Sequence, residues 1–209
     1  MFTNKFIAEI VQKKGGRSFV LPDKIPILKH TGISSLQGKH NFLCISSFAA
    51  DEPVGEIISA FNELDSSYRC YITGNYKKLH TSVIGSASNN IIFTGFLDEQ
   101  EFINLTYSVD AVIVLTDVDY TMLCGCYEAV SACKPLITSN KSVLRDYFEG
   151  ALFIDNSKEA IKHAVKTISG NIDHYKNLIV KLKDTLVPAW NEKSRHLEEI
   201  IKNMEKGIS

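Results

Sequence analysis

The feature that most constrains this chain is an alternation of short apolar runs with amphipathic segments between residues 42 and 170. The runs are nearly continuous, and Ala111-Val-Ile-Val-Leu115 is the clearest of them, as is typical of parallel strands covered on both faces. Strands that alternate with helices are joined by right-handed crossovers and form a parallel sheet. The pattern predicts an α/β fold: a doubly wound, mostly parallel six-stranded Rossmann-like sheet with helices on both faces.

Turn and capping residues mark where the individual elements begin. Pro53 opens one helix, Asp98 with Glu101 forms a capping box before a second helix, and Ser157 caps a third. Shorter helices are predicted from 77 to 83 and from about 124 to 132. The six predicted strands cover residues 42–46, 68–73, 90–94, 111–115, 135–138 and 151–154.

The two ends of the chain differ from its middle. Residues 1–39 contain an amphipathic helix (4–13), a short strand (18–21) and a linker without a clear period. Residues 40–170 form the Rossmann-like domain, and 171–209 form C-terminal helices that we expect Pro188 to divide. These three ranges are the predicted organisation.

Composition excludes several classes of function. The net charge of −1 gives no field for a polyanion, so we expect no nucleic-acid partner. No run approaches the ~20 apolar residues of a membrane span and no signal peptide is recognisable, which predicts a cytoplasmic protein. The five cysteines include no CxxC pair, so we expect reduced, buried thiols and no metal site.

Ligands of open parallel sheets bind beyond the carboxyl ends of the strands. The richest loop there runs from Thr116 to Leu123 and opens a helix with two unusual residues. Gly125 falls in the first helical turn, where glycine costs ~1 kcal/mol relative to alanine, and this suits close approach of a phosphate. Glu128 lies in an otherwise apolar helix, and its carboxylate can accept hydrogen bonds from the two vicinal hydroxyls of a ribose. The alternative remains open that Gly125 only allows helix–strand packing and Glu128 faces solvent.

The stretch Gly125-x-x-Glu-Ala-x-x-x-x-Lys-Pro-Leu-Ile-Thr138 resembles the donor-site helix and following strand of GT-B glycosyltransferases. These are the retaining enzymes of bacterial polysaccharide and lipopolysaccharide synthesis. Asn90-Ile-Ile-Phe-Thr-Gly95 is similar to the strand and turn that precede that helix in the family. Residues 4–22 look like the closing helix and strand of the acceptor-side domain. The resemblance implies the C-terminal, nucleotide-sugar-binding half of such an enzyme.

The resemblance also implies roles for individual residues. Glu128 would hold the ribose hydroxyls, Phe96 in the turn from Gly95 to Leu97 would cover the base, and Lys77 would add positive charge. A helix dipole and cations would replace a metal, so no cofactor is expected beside the nucleotide sugar. The helix N-terminus that would face the diphosphate consists of Leu123, Cys124, Gly125 and Cys126.

The chain departs from the family at two places. In the family, a first glutamate precedes the Glu-Ala pair with seven residues between the two glutamates. In this chain that position is Tyr120, which we place with Glu128 as a catalytic candidate, and Asp119 is a substitute only if the loop shifts. The basic residues after the first strand are missing, and 47–52 is acidic instead. We therefore expect a hexosyltransferase-type domain that is inactive without its acceptor-binding domain or a partner subunit. Peripheral membrane association of the complete enzyme is also expected.

Two other classes remain as alternatives. The first is a non-catalytic partner subunit, or pseudo-glycosyltransferase, that keeps the fold. The second is a flavodoxin-like or response-regulator-like domain, which the positions of the acidic residues disfavour. The motifs of hydrolases, P-loop proteins and classical dehydrogenases are absent after every predicted strand.

Overall fold

A computed structural model describes residues 1–206 of the chain. Within them, six parallel strands form one sheet in the order β3-β2-β1-β4-β5-β6. This order places the switch point of the sheet between β1 and β4 and differs from the flavodoxin-like order, in which β1 and β3 are neighbours. The strands are β1 (His40–Cys44), β2 (Tyr68–Thr73), β3 (Ile91–Gly95), β4 (Ala111–Val114), β5 (Leu136–Ser139) and β6 (Leu152–Ile154).

Helices cover both faces of the sheet, so the predicted fold class is confirmed. Alternate residues of a strand enter opposite cores: Phe42 packs beneath α2 and α7, whereas Leu43 packs beneath α5 and α8. The α-helices of the described residues are α1 (Lys5–Lys13), α2 (Val54–Asn62), α3 (Thr81–Gly85), α4 (Glu99–Ser108), α5 (Cys124–Ser131), α6 (Ser142–Arg145), α7 (Lys158–Gly170) and α8 (Ile172–Lys206).

Local signals located most helix starts correctly. Asp98 and Glu101 form the capping box of α4, and Ser157 accepts a hydrogen bond from the Ala160 amide at the start of α7. The helix predicted over 77–83 is a 3-10 turn at Tyr76–Lys78 followed by α3, because His80 lies between them as the N-cap of α3.

Three expectations for the rest of the chain were wrong. Pro188 does not divide the C-terminal segment, since α8 runs through it and is anchored on both sides, by Leu182 in the core and by Trp190, whose Nε1 donates to the Pro22 carbonyl. The predicted strand at 18–21 is reduced to one bridge between Phe2 and Val20. The thiols are not all buried, since Cys124 is exposed and Cys133 is half-buried.

The N-terminal segment packs against the domain through specific contacts. Ile25 is buried in the core beside α5 and α8, and the Pro26 carbonyl accepts a hydrogen bond from Ser131. The segment 1–39 therefore runs along the domain from the loop after β4, where the Asn4 side chain donates to the Tyr120 carbonyl, to the C-terminal end of α5 at the opposite edge of the sheet. Of the predicted range 171–209, the last three residues fall outside the described residues.

Candidate functional site

The N-terminus of α5 lies at the carboxyl edge of the sheet, beside the switch point. A β-carbon on Gly125 would lie 3.0 Å from Val114 and 3.2 Å from Ile45, at the ends of β4 and β1. The glycine is therefore required for close packing of the helix on the sheet. This is the packing explanation that the sequence left open, and it sets the first turn of α5 directly above the two central strands.

The first turn of α5 presents free amides. Its N-cap, Leu123, makes no side-chain capping bond. The amides of Cys124 and Gly125 have no acceptor within residues 1–206, whereas the Cys126 amide donates to the Leu123 carbonyl at 3.0 Å. Unpaired amides at a helix N-terminus attract anions. Of the four predicted diphosphate contacts, Leu123, Cys124 and Gly125 have amides without an acceptor among the described residues, and the Cys126 amide is the one that is bonded.

The two thiols of this turn differ in environment. Cys126 is fully buried and lies 3.5 Å from the Thr138 hydroxyl, and burial raises the pKa of its thiol to about 12. Cys124 is exposed, and desolvation followed by the nearby Asp23 and Glu128 carboxylates raises its pKa. Both thiols stay protonated near neutral pH and add no negative charge to the site.

Glu128 is half-buried one helical turn further along α5. Within the described residues its carboxylate makes no hydrogen bond and no ion pair, and burial raises its pKa. Its neighbours Tyr127 and Ala129 are both buried. Burying a carboxylate without a hydrogen-bond partner costs free energy. Its oxygen atoms are therefore available to accept hydrogen bonds from a ligand with hydroxyl groups. The expectation that Glu128 simply faces solvent does not describe this position.

The turns after β2 and β3 form a second part of the predicted site. Gly74 has φ +100°, and a β-carbon there would lie 2.1 Å from the Ser46 carbonyl oxygen, so only glycine fits. Its amide donates to the Gly95 carbonyl at 2.9 Å, which joins the two turns. Phe96 follows with 81% of its surface exposed. This exposed ring, followed by Leu97, is where the sequence predicts a base to lie.

Two lysines follow Gly74, and they occupy different positions. Lys77, the predicted cation, is exposed and makes no hydrogen bond or ion pair within residues 1–206. Lys78 donates instead to the Ser47 carbonyl at 2.7 Å. Lys78 thereby fixes the loop after β1, while Lys77 stays available.

The loop after β1 is closed by its own acidic residues. The Glu52 carboxylate accepts hydrogen bonds from the Ser46 and Ser47 hydroxyls and from the Ser47 and Ala49 amides. Asp51 reaches across the switch point, where its carboxylate accepts from the Thr116 hydroxyl at 2.8 Å. The acidic segment 47–52 therefore has a structural role: its carboxylates close the loop after β1 and bond that loop to the loop after β4.

Tyr120 holds the N-terminal helix. Its ring lies on the ring of Phe6 with centroids 3.5 Å apart and planes at 1°, and its carbonyl accepts from the Asn4 side chain at 2.9 Å. Its φ of +66° lies in the left-handed region, which an ordinary side chain rarely adopts. Asp119, the possible substitute for the first glutamate, is paired with Lys141 at 3.0 Å. Both side chains are thus engaged with neighbouring elements.

Sequence reasoning missed the polar network that connects the ends of β4, β5 and β6 at this edge. Ser139 accepts from the Thr116 amide and donates to Asn156, and the Asn156 amide group donates to the Asp117 carboxylate at 2.7 Å. These residues end a strand or closely follow one, and that position was the one signal that could have identified them. The network ties the start of the Thr116–Leu123 loop to the ends of β5 and β6.

The structure brings the predicted residues to one edge in two groups. Glu128 and the first turn of α5 follow β4, whereas Gly95, Phe96, Leu97 and Lys77 lie at the ends of β2 and β3. The ends of β3 and β4 are three strand spacings apart, or roughly 14 Å. No contact joins the groups directly, and the distance suits an extended nucleotide lying across the edge.

Two further observations concern metal ions and membranes. Among residues 1–206 no cluster of three or more His, Cys, Asp or Glu side chains has the arrangement of a metal site. None of the helices in the described part of the chain combines the length and apolar character needed to cross a bilayer.

Comparison with known proteins finds relatives by fold. No family model matches the chain, and no curated protein does. Among solved structures, sucrose-phosphate synthase from Thermosynechococcus elongatus matches with a TM-score of 0.77 at 12% identity, over 99% of this chain and 58% of that chain. HepE from Anabaena, solved in complex with UDP and glucose, matches with 0.77 at 12%, over 97% and 62%. Pneumococcal O-GlcNAc transferase GtfA, solved with UDP and GlcNAc, matches with 0.73 at 11%, over 97% and 44%.

These matches define the class of fold. The chain has the fold found within GT-B glycosyltransferases, and the resemblance noted in its sequence is confirmed at that level. It spans between 44% and 62% of the length of the three proteins.

Proposed function

We propose that this chain is the nucleotide-sugar-binding domain of a retaining, hexosyltransferase-type glycosyltransferase. The observation that carries the proposal is the half-buried, unpartnered carboxylate of Glu128, one turn beyond the free amides of Cys124 and Gly125. The carboxylate would accept hydrogen bonds from both ribose hydroxyls, and the amides would face the diphosphate. The base would lie against Phe96 at the far end of the site.

The chemistry required of such a site is stabilisation of a leaving group. In transfer, the bond from the anomeric carbon to the phosphate oxygen breaks with its electron pair going to the diphosphate, a bond to an acceptor hydroxyl oxygen forms, and the hydroxyl proton passes to the departing diphosphate. Negative charge develops on the diphosphate, where the helix dipole of α5 and the exposed Lys77 would stabilise it. We propose that no metal takes part.

The acceptor would need a second structural unit. The relatives by fold are longer than this chain, and two of them were solved with UDP and a sugar bound. We propose that an acceptor-binding domain, in the same polypeptide or in a partner subunit, completes the enzyme. The site of action would be the cytoplasm, with peripheral association to a membrane that carries the acceptor.

Calorimetric titration with UDP, GDP and their sugars tests the proposal. We expect one of the two nucleotides to bind and Glu128→Gln to weaken that binding by about tenfold or more, because a charge-assisted hydrogen bond contributes about 1.5–3 kcal/mol. Glu198→Gln, an exposed glutamate of α8, is the matched control and should bind like the wild type. If none of these nucleotides or nucleotide sugars binds, the proposal is wrong.

One observation favours a second candidate, a non-catalytic partner subunit with the same fold. Glu52 already occupies the hydroxyl and amide donors of the loop after β1, at the place where the family resemblance calls for basic residues. Tyr120 is stacked on Phe6 rather than free to contact a sugar. Copurification of a subunit with its own donor site, combined with no nucleotide binding by this chain, would support this candidate.

A further inference from the structure

A cavity of about 260 Å³ lies between α1, the segment around Val20, α6 and α8. None of the residues predicted for the nucleotide lines it. Its floor is apolar, with two buried and four half-buried side chains. The floor residues are Phe6, Val20, Pro22, Met122, Val143 and Tyr147.

The rim of this cavity carries four charged side chains that are not paired with one another. Lys5 and Glu9 come from α1, Asp146 follows α6, and Lys193 comes from α8. Although all four side chains line one space, they form no ion pair or hydrogen bond with each other or with other described residues. The rim thus presents unpaired donors and acceptors around an apolar floor, the usual composition of a small-molecule site.

Charge and size limit the class of ligand. The two cations and two anions of the rim give it no net charge. Neither a phosphate nor a polyamine is therefore favoured, whereas a neutral ligand with many hydroxyl groups is favoured. The volume lies just under the ~300 Å³ at which sites for drug-sized ligands begin. A single sugar ring fits this description, because its hydroxyls bind carboxylates and lysines while its C–H faces pack on apolar and aromatic side chains.

The cavity shares its wall with the first turn of α5. Met122 directly precedes Leu123, the N-cap of that helix, and Tyr147 packs on Tyr127 with ring centroids 5.6 Å apart. A sugar in the cavity would therefore lie beside the helix end where the diphosphate of a donor is proposed to bind.

We propose that this cavity binds one neutral monosaccharide residue of the acceptor. The inference rests on the proposed function, which it deepens by placing part of the acceptor site on this chain. The sugar of the donor has the same chemistry, and the experiment below distinguishes the two sources.

The test is an NMR titration of the full chain with methyl glycosides of glucose, galactose, mannose and N-acetylglucosamine, with parallel calorimetric titrations of UDP and of the corresponding UDP-sugars. We expect at least one glycoside to shift the Met122, Val143 and Tyr147 amides saturably. Asp146→Asn and Glu9→Gln should each weaken that binding about tenfold, as loss of a charge-assisted hydrogen bond implies. Both variants should leave UDP affinity unchanged, and Glu198→Gln should change neither measurement.

Each other outcome contradicts the inference in a distinct way. If UDP binds but no glycoside shifts these amides, or if neither variant weakens glycoside binding, the acceptor site is absent while the proposed function survives. If Asp146→Asn weakens binding of the UDP-sugar but not of UDP, the cavity belongs to the donor sugar. If glycosides bind here and UDP does not bind at all, the cavity is a monosaccharide site that serves no donor. That result would contradict the proposed nucleotide-sugar-binding function and, with it, the assignment of the cavity to an acceptor.

Discussion

A β-carbon placed on Gly125 would lie 3.0 Å from the Cγ2 atom of Val114, closer than nine in ten contacts of real β-carbons. The backbone of α5 therefore rests directly on the end of β4. This contact sets the height of the helix N-terminus above the sheet, and with it the position of the Cys124 and Gly125 amides.

Gly125→Ala should destabilise the protein although alanine is the better helix former. Overpacking costs about 1–3 kcal/mol and exceeds the ~1 kcal/mol gained in helix propensity, so we expect the free energy of unfolding to fall by about 1 kcal/mol. Urea denaturation measures this change in the free energy of unfolding. Gly55, in the first turn of α2 with no atom within 4 Å of an added β-carbon, is the control. Gly55→Ala should stabilise by about 0.5–1 kcal/mol, and equal effects at both positions would refute the packing argument.

The stack of Phe6 on Tyr120 should couple α1 to the loop after β4. A double-mutant cycle of Phe6→Ala and Tyr120→Ala should give a coupling of about 1 kcal/mol, the usual range for aromatic pairs. Because the Tyr120 ring is engaged in this stack, we expect the single variants to change nucleotide affinity less than twofold. A coupling near zero, or a large loss of affinity with Tyr120→Ala alone, would contradict this structural role.

The sequence was informative wherever local chemistry decides the outcome. Short apolar runs rich in branched residues predicted the six strands, and Asp98 with Glu101 predicted the start of α4 correctly. It failed where distant contacts decide: Pro188 stays helical because Leu182 and Trp190 anchor α8 on either side. For the candidate site, the apolar surroundings of Glu128 in the sequence predicted a half-buried carboxylate, whereas no local pattern could show that Asp51 bonds to Thr116, 65 positions along the chain.

Glu63 should give stability a distinct acid dependence. Hydrogen bonds from Lys158 and Lys162 of α7 lower the pKa of Glu63, on the end of α2, to about 2. Because this folded-state pKa lies below the unfolded value of ~4.3, the stabilisation is fully present above about pH 4–5 and is lost as pH falls toward 2. Thermal unfolding of Glu63→Gln should therefore show a lower midpoint than wild type at pH 6, with the two curves converging at pH 2. Parallel curves over this range would contradict the assignment.

Glu128 should affect stability in the opposite direction. Burial raises its pKa in the folded state, so the ionised form is disfavoured by folding and the free energy of unfolding falls as pH rises from the unfolded to the folded pKa. Above the folded-state pKa, the destabilisation caused by the ionised Glu128 carboxylate no longer changes with pH. Glu128→Gln should therefore raise the urea midpoint at pH 7.5 while it weakens nucleotide binding. A lower midpoint would mean that the carboxylate has a structural partner.

The most direct test of the account compares UDP with 2′,3′-dideoxy-UDP on the wild type and on Glu128→Gln by calorimetry. If Glu128 holds the ribose hydroxyls, their removal should weaken binding to the wild type by about tenfold or more and should change binding to Glu128→Gln by less than about twofold. Equal losses on both proteins would show that the hydroxyls are bound elsewhere and would contradict the central claim.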